Sequence, residues 1–263
     1  MSFSPEWLTL REPADADARA VDLLDPLREW LAGIDRPVIR DLGCGTGSMG
    51  RWLAPRLDGP QHWVLYDQDQ ALLDHAAASM AAPVTASAVR ADVTALTAAD
   101  LAGADLITTS ALLDLLTADE VDRLAAACVG AGCPALLTLS VTGRVDLDPV
   151  EDLDADLAAA FNAHQRRSTG GRRLLGPDAV EVTAGAFGKL GVPVRVSPSP
   201  WRLGSKQGAL AAEWLRGWVG AACEQQPTLA GPAKGYLERR LDAVAAGELG
   251  VVVHHSDLLA DSE

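Results

Sequence analysis

The sequence predicts an α/β protein built on a doubly wound, mostly parallel sheet, and three observations carry that prediction. Short apolar runs alternate with helix-periodic stretches between Val38 and Val141, as parallel strands and their crossover helices require. The first run, Val38-Ile39-Arg40-Asp41-Leu42, passes into Gly43-Cys44-Gly45-Thr46-Gly47, an apolar strand entering a tight turn. Hydrophobic residues make up 48% of the 263 positions, enough to bury a substantial core.

Before the glycine turn, Ser4 to Gly33 reads as a helical lead-in, with Val21, Leu24, Leu27 and Leu31 on one stripe at three- and four-residue steps. Asp25-Pro26 fits a cap followed by a first helical position, and Gly33 a stop. After the turn, Ser48 to Leu57 reads as a helix that Pro55 must kink or shorten. A second strand covers Trp63 to Tyr66 and ends at Asp67, a helix follows over Asp69 to Met80, and a third strand lies within Val84 to Arg90, before Asp92. A fourth covers Asp105 to Thr109; Thr117-x-x-Glu120 is a capping box opening a helix that Gly130 and Gly132 end; Ala135 to Val141 is the fifth strand. From Asp148 the rhythm loosens. A helix with Leu153, Leu157 and Phe161 in register precedes a glycine-arginine loop at Ser168 to Arg173, and another helix spans Pro177 to Leu190. Val192 to Val196 gives a sixth strand; Leu210, Trp214 and Trp218 stripe one helix, Tyr236, Leu237, Leu241 and Val244 the next, and Gly250 to His254 completes a seven-stranded sheet. The expected organisation is a lead-in over 1–36, a nucleotide-binding core over 37–146, and the rest of the same domain over 147–263.

The glycine turn admits two ligands and a bland alternative, a turn with no ligand. Glycine reaches positive φ cheaply, and its missing Cβ lets a ligand lie against the backbone. Gly45-x-Gly47-x-x-Gly50 satisfies a dinucleotide fingerprint. The tighter pattern, Asp41-Leu42-Gly43-Cys44-Gly45-Thr46-Gly47, closely resembles the first motif of the class I S-adenosylmethionine (SAM)-dependent methyltransferases. The resemblance covers roughly Val38 to Val141. It implies a loop around the methionine part of SAM formed by Asp41, Gly43, Cys44, Gly45, Thr46 and Gly47, and an antiparallel last strand. Asp67, with Gln68 beside it, ends the second strand, where a carboxylate accepts hydrogen bonds from both ribose hydroxyls in dinucleotide and SAM sites alike. Asp92 resembles the acid that meets the adenine amino group, with Val93 supplying a backbone contact. The segment Thr108 to Asp114 resembles the passage from cofactor to active site in small-molecule methyltransferases, with Ser110 near the methionine end and Asp114 facing the substrate. Each of these acids also has a plain reading as a solvated residue at an element's end.

In open α/β sheets, ligands bind outside the strand carboxyl ends. The segments after strands five and six leave from that edge, so helical insertions there should roof the cofactor and shape a substrate cavity. The first roof segment holds His164, a candidate general base, and Arg166, Arg167, Arg172 and Arg173, whose forked donors suit a carboxylate or phosphate. The plain reading of the arginines is a solvated cluster that complements a helix C-terminus. Trp201, Trp214 and Trp218 line an aromatic cavity or simply fill core.

The composition narrows function. With 22 Lys and Arg against 36 Asp and Glu, the net charge is −14, which opposes nucleic-acid binding. The four cysteines, Cys44, Cys128, Cys133 and Cys223, form no C-x-x-C and no zinc-type spacing, so no metal is expected. Met1 to Arg11 lacks a basic region followed by an apolar core, and no apolar stretch has membrane-spanning length; a cytoplasmic location without membrane partners is expected, and the oligomeric state is not read from the sequence. The leading expectation is SAM-dependent methyl transfer, yielding S-adenosylhomocysteine, to oxygen or nitrogen of a small molecule that bears a carboxylate or phosphate. The rivals are an NAD(P)-dependent oxidoreductase, for which neither Tyr66 nor Tyr236 has a lysine four residues on, and a SAM-binding module without catalysis.

Overall fold

The computed structural model describes residues 4–261. Five parallel strands form one half of the main sheet: β1 (Val38–Leu42), β2 (His62–Asp67), β3 (Thr85–Arg90), β4 (Leu106–Ser110) and the start of β5 (Ala135–Asp148). The helices α1 (Pro5–Ala18), α2 (Leu24–Leu31), α3 (Ser48–Leu53), α4 (Gln70–Ser79) and α5 (Ala118–Ala131) precede or connect them. The second half adds α6 (Asp154–Gln165), a small hairpin of β6 (Ser168–Thr169) and β7 (Arg172–Arg173), α7 (Ala179–Lys189), β8 (Val194–Pro198), β9 (Trp201–Leu203), α8 (Gly208–Gln225), α9 (Ala230–Ala246) and β10 (Gly250–Ala260). The strand order is β3-β2-β1-β4-β5-β10-β8, with β9 also paired to β10. Only β10 runs against the others.

Alternation along each strand explains the two layers. Ile39, Trp63, Leu65, Leu106, Leu136 and Leu259 face α2, α3 and α4, whereas Leu42, Val64, Ile107, Leu137 and Leu258 face α5 and α7. Successive side chains point to opposite faces of a pleated strand, so near-continuous apolar runs fill both layers.

The expected sheet needs three corrections. It has eight strands rather than seven, because Trp201–Leu203 pairs with the first third of β10. Strands five and seven run well past Val141 and His254, to Asp148 and Ala260. Only Ala135 to Thr138 pair with β4; the rest of β5 rises beyond the parallel sheet as a ribbon with β10. Two irregularities in that ribbon bend it. One falls at Leu139 (φ +57°) and the other near Gly143 (φ +79°), where an added Cβ would lie 2.8 Å from Pro177 Cβ. Extra residues on one strand of an antiparallel pair bend it and increase its twist. Third, Val21 is exposed, because the lead-in breaks into α1 and α2 around it. Pro55 does end its helix early, at Leu53, in a 3-10 turn.

A third core fills the space above the carboxyl ends. Leu147, Trp201, Leu203, Val251 and Val253 from the ribbon pack with Ala14 of α1, Leu157 of α6, Leu210, Leu215 and Trp218 of α8 and Tyr236 of α9. The tryptophan stripe is thus largely core, with Trp214 stacked on Trp218 at 5.2 Å. The segment between β5 and β8 splits. Its α6 and hairpin lie at this end, whereas α7 packs on α5 in the ordinary sheet layer.

One buried carboxylate joins the pieces. Asp257, fully buried on β10, accepts hydrogen bonds from Leu139 N (2.7 Å) and Ala20 N (2.8 Å). Asp257→Ala strands both donors inside the protein and leaves the buried Arg19 guanidinium with less compensating charge. The expected loss is about 3 kcal/mol, measured as a lower urea midpoint at unchanged slope.

Candidate active site

The glycine turn at the end of β1 takes its shape from left-handed backbone. Gly43, Gly45 and Gly47 have φ of +68°, +53° and +85°. Cys44 N donates to Tyr66 O (2.9 Å) and Gly47 N to Cys44 O (2.8 Å), which hold the loop against β2. A Cβ on Gly47 would sit 3.1 Å from Ala76 Cβ and 3.2 Å from its Cα, on the wall of α4. Asp67 is tied into the same loop: its carboxylate accepts from Gly45 N (2.9 Å) and Asp69 N (3.0 Å).

Above this loop lies a cavity of about 170 Å³ lined by Asp41, Gly43 to Thr46, Asp67 and Ser110, with Leu8, Arg11 and Asp15 reaching in from α1. Asp41 is buried; Thr108 Oγ1 donates to its Oδ1 at 2.8 Å, and its Oδ2 has no hydrogen bond. Burial pushes its carboxyl up to about 7, against the pull of Thr108 and the nearby Arg19 cation. Arg19 is itself buried, with one guanidinium nitrogen donating to Ser48 Oγ and Ser110 Oγ, each at 3.2 Å.

A second cavity of about 280 Å³ adjoins the first, and the two share Arg11, Ala111 and Leu115. Its walls include Asp114 from the turn after β4, Leu139 and Val141 from the bent part of β5, His164 and Arg167, and Trp7, Trp201 and His255. Ala111, at the junction, has φ +52°, a backbone conformation that costs energy for a non-glycine residue and concentrates at functional sites. Burial raises the Asp114 carboxyl to about 6, with Arg11 opposing. Arg11 is fixed in place: Nε and Nη2 donate to Asp15 at 2.8 and 3.1 Å, and the guanidinium lies over the Trp201 ring at 5.0 Å. The Trp201 indole in turn donates to Asp15 at 2.9 Å.

Comparison with known proteins agrees with this geometry. Residues 39–131 match the family model of the methyltransferase domain, from β1 through α5. Over those residues the chain is similar to that methyltransferase domain. Among solved structures, this methyltransferase fold is similar to the cyclopropane synthase MmaA2 from Mycobacterium tuberculosis, at 15% identity and TM-score 0.50 over 98% of this chain and 95% of that one. It is equally similar to the mycolic acid cyclopropane synthase CmaA1 solved with S-adenosylhomocysteine and CTAB, at 15% identity and TM-score 0.50 over 98% and 94%. No curated protein sequence matches the chain.

The methyltransferase core gathers most of the residues that the sequence singled out, but not all. Asp41, Gly43, Cys44, Gly45, Thr46, Asp67 and Ser110 line the first cavity, and Gly47 shapes its loop. Gln68, Asp92 and Val93 do not line it; Asp92 is exposed and accepts from Thr94 N and Oγ1, which holds its carboxyl below the usual range. Asp114, His164, Arg167 and Trp201 line the second cavity. His164 has carboxylate and guanidinium neighbours, Glu224 Oε2 at 3.2 Å from Nε2 and Arg167 Nη1 at 3.2 Å from Nδ1.

The arginine cluster is the main correction. Arg166 is paired through two 2.6 Å contacts with Asp178, and Arg172 with Glu120 at 2.9 and 2.7 Å. Arg173 lies on the exposed β7. Of the four, Arg167 reaches the second cavity. The cluster runs from the end of α6 into the hairpin, and acids of α5 and of the turn before α7 lie close enough to neutralise two of its members.

The sequence reading missed Arg11, Asp15, Arg19 and His255. Arg11 and Asp15 are spaced as an i, i+4 pair, but their importance comes from Trp201, 186 residues from Asp15. His255 was legible in principle: along a longer strand it shares a face with Val251 and Val253. Gly47→Ala tests the loop. Left-handed strain of about 1–2 kcal/mol plus the Ala76 contact predicts a stability loss of about 2 kcal/mol, read by thermal unfolding.

Proposed function

We propose that the chain catalyses methyl transfer from SAM to a small molecule held in the second cavity. The observation that carries this reading is the junction: a glycine-loop cavity and an aromatic-walled cavity meet at Arg11, Ala111 and Leu115.

The first cavity fits SAM on its own features. Asp41 Oδ2 is buried without a hydrogen bond, suited to an ammonium or other cationic group. The glycine loop presents backbone where a side chain would intrude. In this reading Gly43 to Gly47, Asp41 and Ser110 hold the methionine part and Asp67 the ribose hydroxyls. SAM supplies a methyl group already activated on a positively charged sulfur.

The protein's own part is orientation and proton removal. Asp114 stands beside Ala111 and Leu115, next to the junction, with a carboxyl near 6, poised to accept a proton near neutral pH. His164, engaged by Glu224 and Arg167, positions the α6 wall rather than taking the proton. Arg166 and Arg172 are each paired with an acid and do not line the second cavity, so this reading does not rest on them, whereas Arg167 does line it.

Calorimetric titration tests the cofactor. S-adenosylhomocysteine should bind and NAD should not, and Asp67→Ala should cost about 1–3 kcal/mol of that binding; NAD binding without a S-adenosylhomocysteine signal would refute the reading. Proton removal has its own signature. A carboxylate base whose folded pKa is about 6 is active above that pH and lost below it, so kcat should fall tenfold per unit under pH 6. Asp114→Asn should lower kcat by about 10²–10⁴-fold and abolish this acid limb; an unchanged limb assigns the base elsewhere.

A further inference from the structure

Arg19, the residue that follows α1, is a buried cation. Its guanidinium lies over the Trp52 ring at 5.4 Å, and Nη2 donates to Ser48 Oγ and Ser110 Oγ, each at 3.2 Å. Nε and Nη1 make no hydrogen bond among the described residues. The charges of Asp15, Asp257 and Asp41 reach it, but their oxygens are bonded to other groups. Asp15 holds Arg11 and Trp201, Asp257 holds Leu139 N and Ala20 N, and Asp41 accepts from Thr108. A buried cation is costly without hydrogen-bonded partners, and the partners Arg19 has are two hydroxyls.

Those hydroxyls carry its charge to the first cavity, which both serines line and where both are half-buried. A hydroxyl has one proton to give and two lone pairs that receive. Each serine oxygen receives from Arg19, and Ser110 Oγ receives a second hydrogen bond from Thr138 Oγ1 at 3.1 Å. Neither serine hydroxyl donates to a described residue, so both protons are unspent and turned away from the guanidinium. Hydrogen bonds in a chain polarise one another, and a cation at the far end strengthens the last donor. The serine pair therefore suits an anionic oxygen. Asp41, on the same cavity and within reach of the Arg19 charge, suits a cation. An α-amino acid carries both charges on one carbon.

We infer that Arg19 is a positioning residue for the cofactor, acting through Ser48 and Ser110 to bind the carboxylate at the amino-acid end of SAM. The inference rests on the assignment of the first cavity to SAM. With Asp41 taking the neighbouring ammonium group, both charges of that end are fixed, and the sulfonium has less freedom to turn its methyl group away from the acceptor. Ser110 ends β4 and Ala111 follows it at the junction of the cavities. One short stretch thus anchors the carboxylate and opens onto the acceptor.

Two ligands that differ only in that carboxylate test the assignment: S-adenosylhomocysteine and its decarboxylated analogue S-adenosyl-3-thiopropylamine, titrated by calorimetry at pH 8, where Asp41 is ionised. The wild-type protein should prefer S-adenosylhomocysteine at least tenfold. Ser48→Ala and Ser110→Ala should each shrink that preference at least threefold while the analogue binds as before. Arg19→Met should remove most of the preference, Arg19→Lys should keep part of it, and Arg19→Met should change it no further in a Ser48→Ala/Ser110→Ala background. Equal wild-type affinity for the two ligands overturns the inference. So do variants that weaken both ligands alike, the mark of a merely structural role, or that leave the preference intact. If Arg19→Met does not fold, the serine variants and the wild-type comparison still decide. Binding of neither ligand by the wild-type protein would instead remove the cofactor reading, and the inference with it.

Discussion

The architecture depends on a single carboxylate with nowhere to go but inward. Asp257 lies on the one antiparallel strand, opposite the point where β5 departs from its parallel neighbour. Its two oxygens hold Leu139 in a left-handed conformation and fasten the chain at Ala20, just after α1. Burying an ionised carboxylate is expensive unless its lone pairs are filled. Here they are filled by backbone groups that would otherwise be unpaired themselves, so the cost of the charge and the geometry of the bend are settled together. The strand that closes the sheet therefore also sets the angle at which β5 leans over the carboxyl edge.

Both cavities follow from that lean. The lower one is the space between the glycine loop and α1; the upper one lies between α1, the bent ribbon and α6. Helix α1 serves both through one rigid unit, Arg11 chelated by Asp15 and laid over Trp201. In a chain with a net charge of −14, this guanidinium keeps a positive edge between the buried Asp41 and the half-buried Asp114, whose carboxyls are raised to about 7 and about 6. Opposite charge at the junction and apolar rings beyond it divide the space into a polar half and an aromatic half.

The parallel sheet was legible because its information is local. Period-two alternation, strand-ending acids and the three glycines each read within a few residues, which is why β1 to β5, the Asp41 to Gly47 loop and Asp67 could be placed from sequence. What failed was non-local. The arginines at 166 and 172 looked available because their partners, Asp178 and Glu120, lie 12 and 52 residues away. His254 looked like the end of the last strand because the bend in β5 that lengthens the pairing is invisible in β10 itself. Trp201 could be suspected as a wall but not as the plate on which Arg11 rests, since that contact is made across most of the chain.

The hydrogen bond from Ala20 to Asp257 spans 237 positions, and it orders events during synthesis. A nascent chain that has released residues up to 150 already holds the glycine loop and five parallel strands, yet the strand that positions α1 over them has not been made. Contacts of such long separation form late and slowly, because the intervening chain must be ordered before they return anything. The glycine loop can thus take shape early, whereas the two cavities become walled rooms only when the last strand slides between β5 and β8.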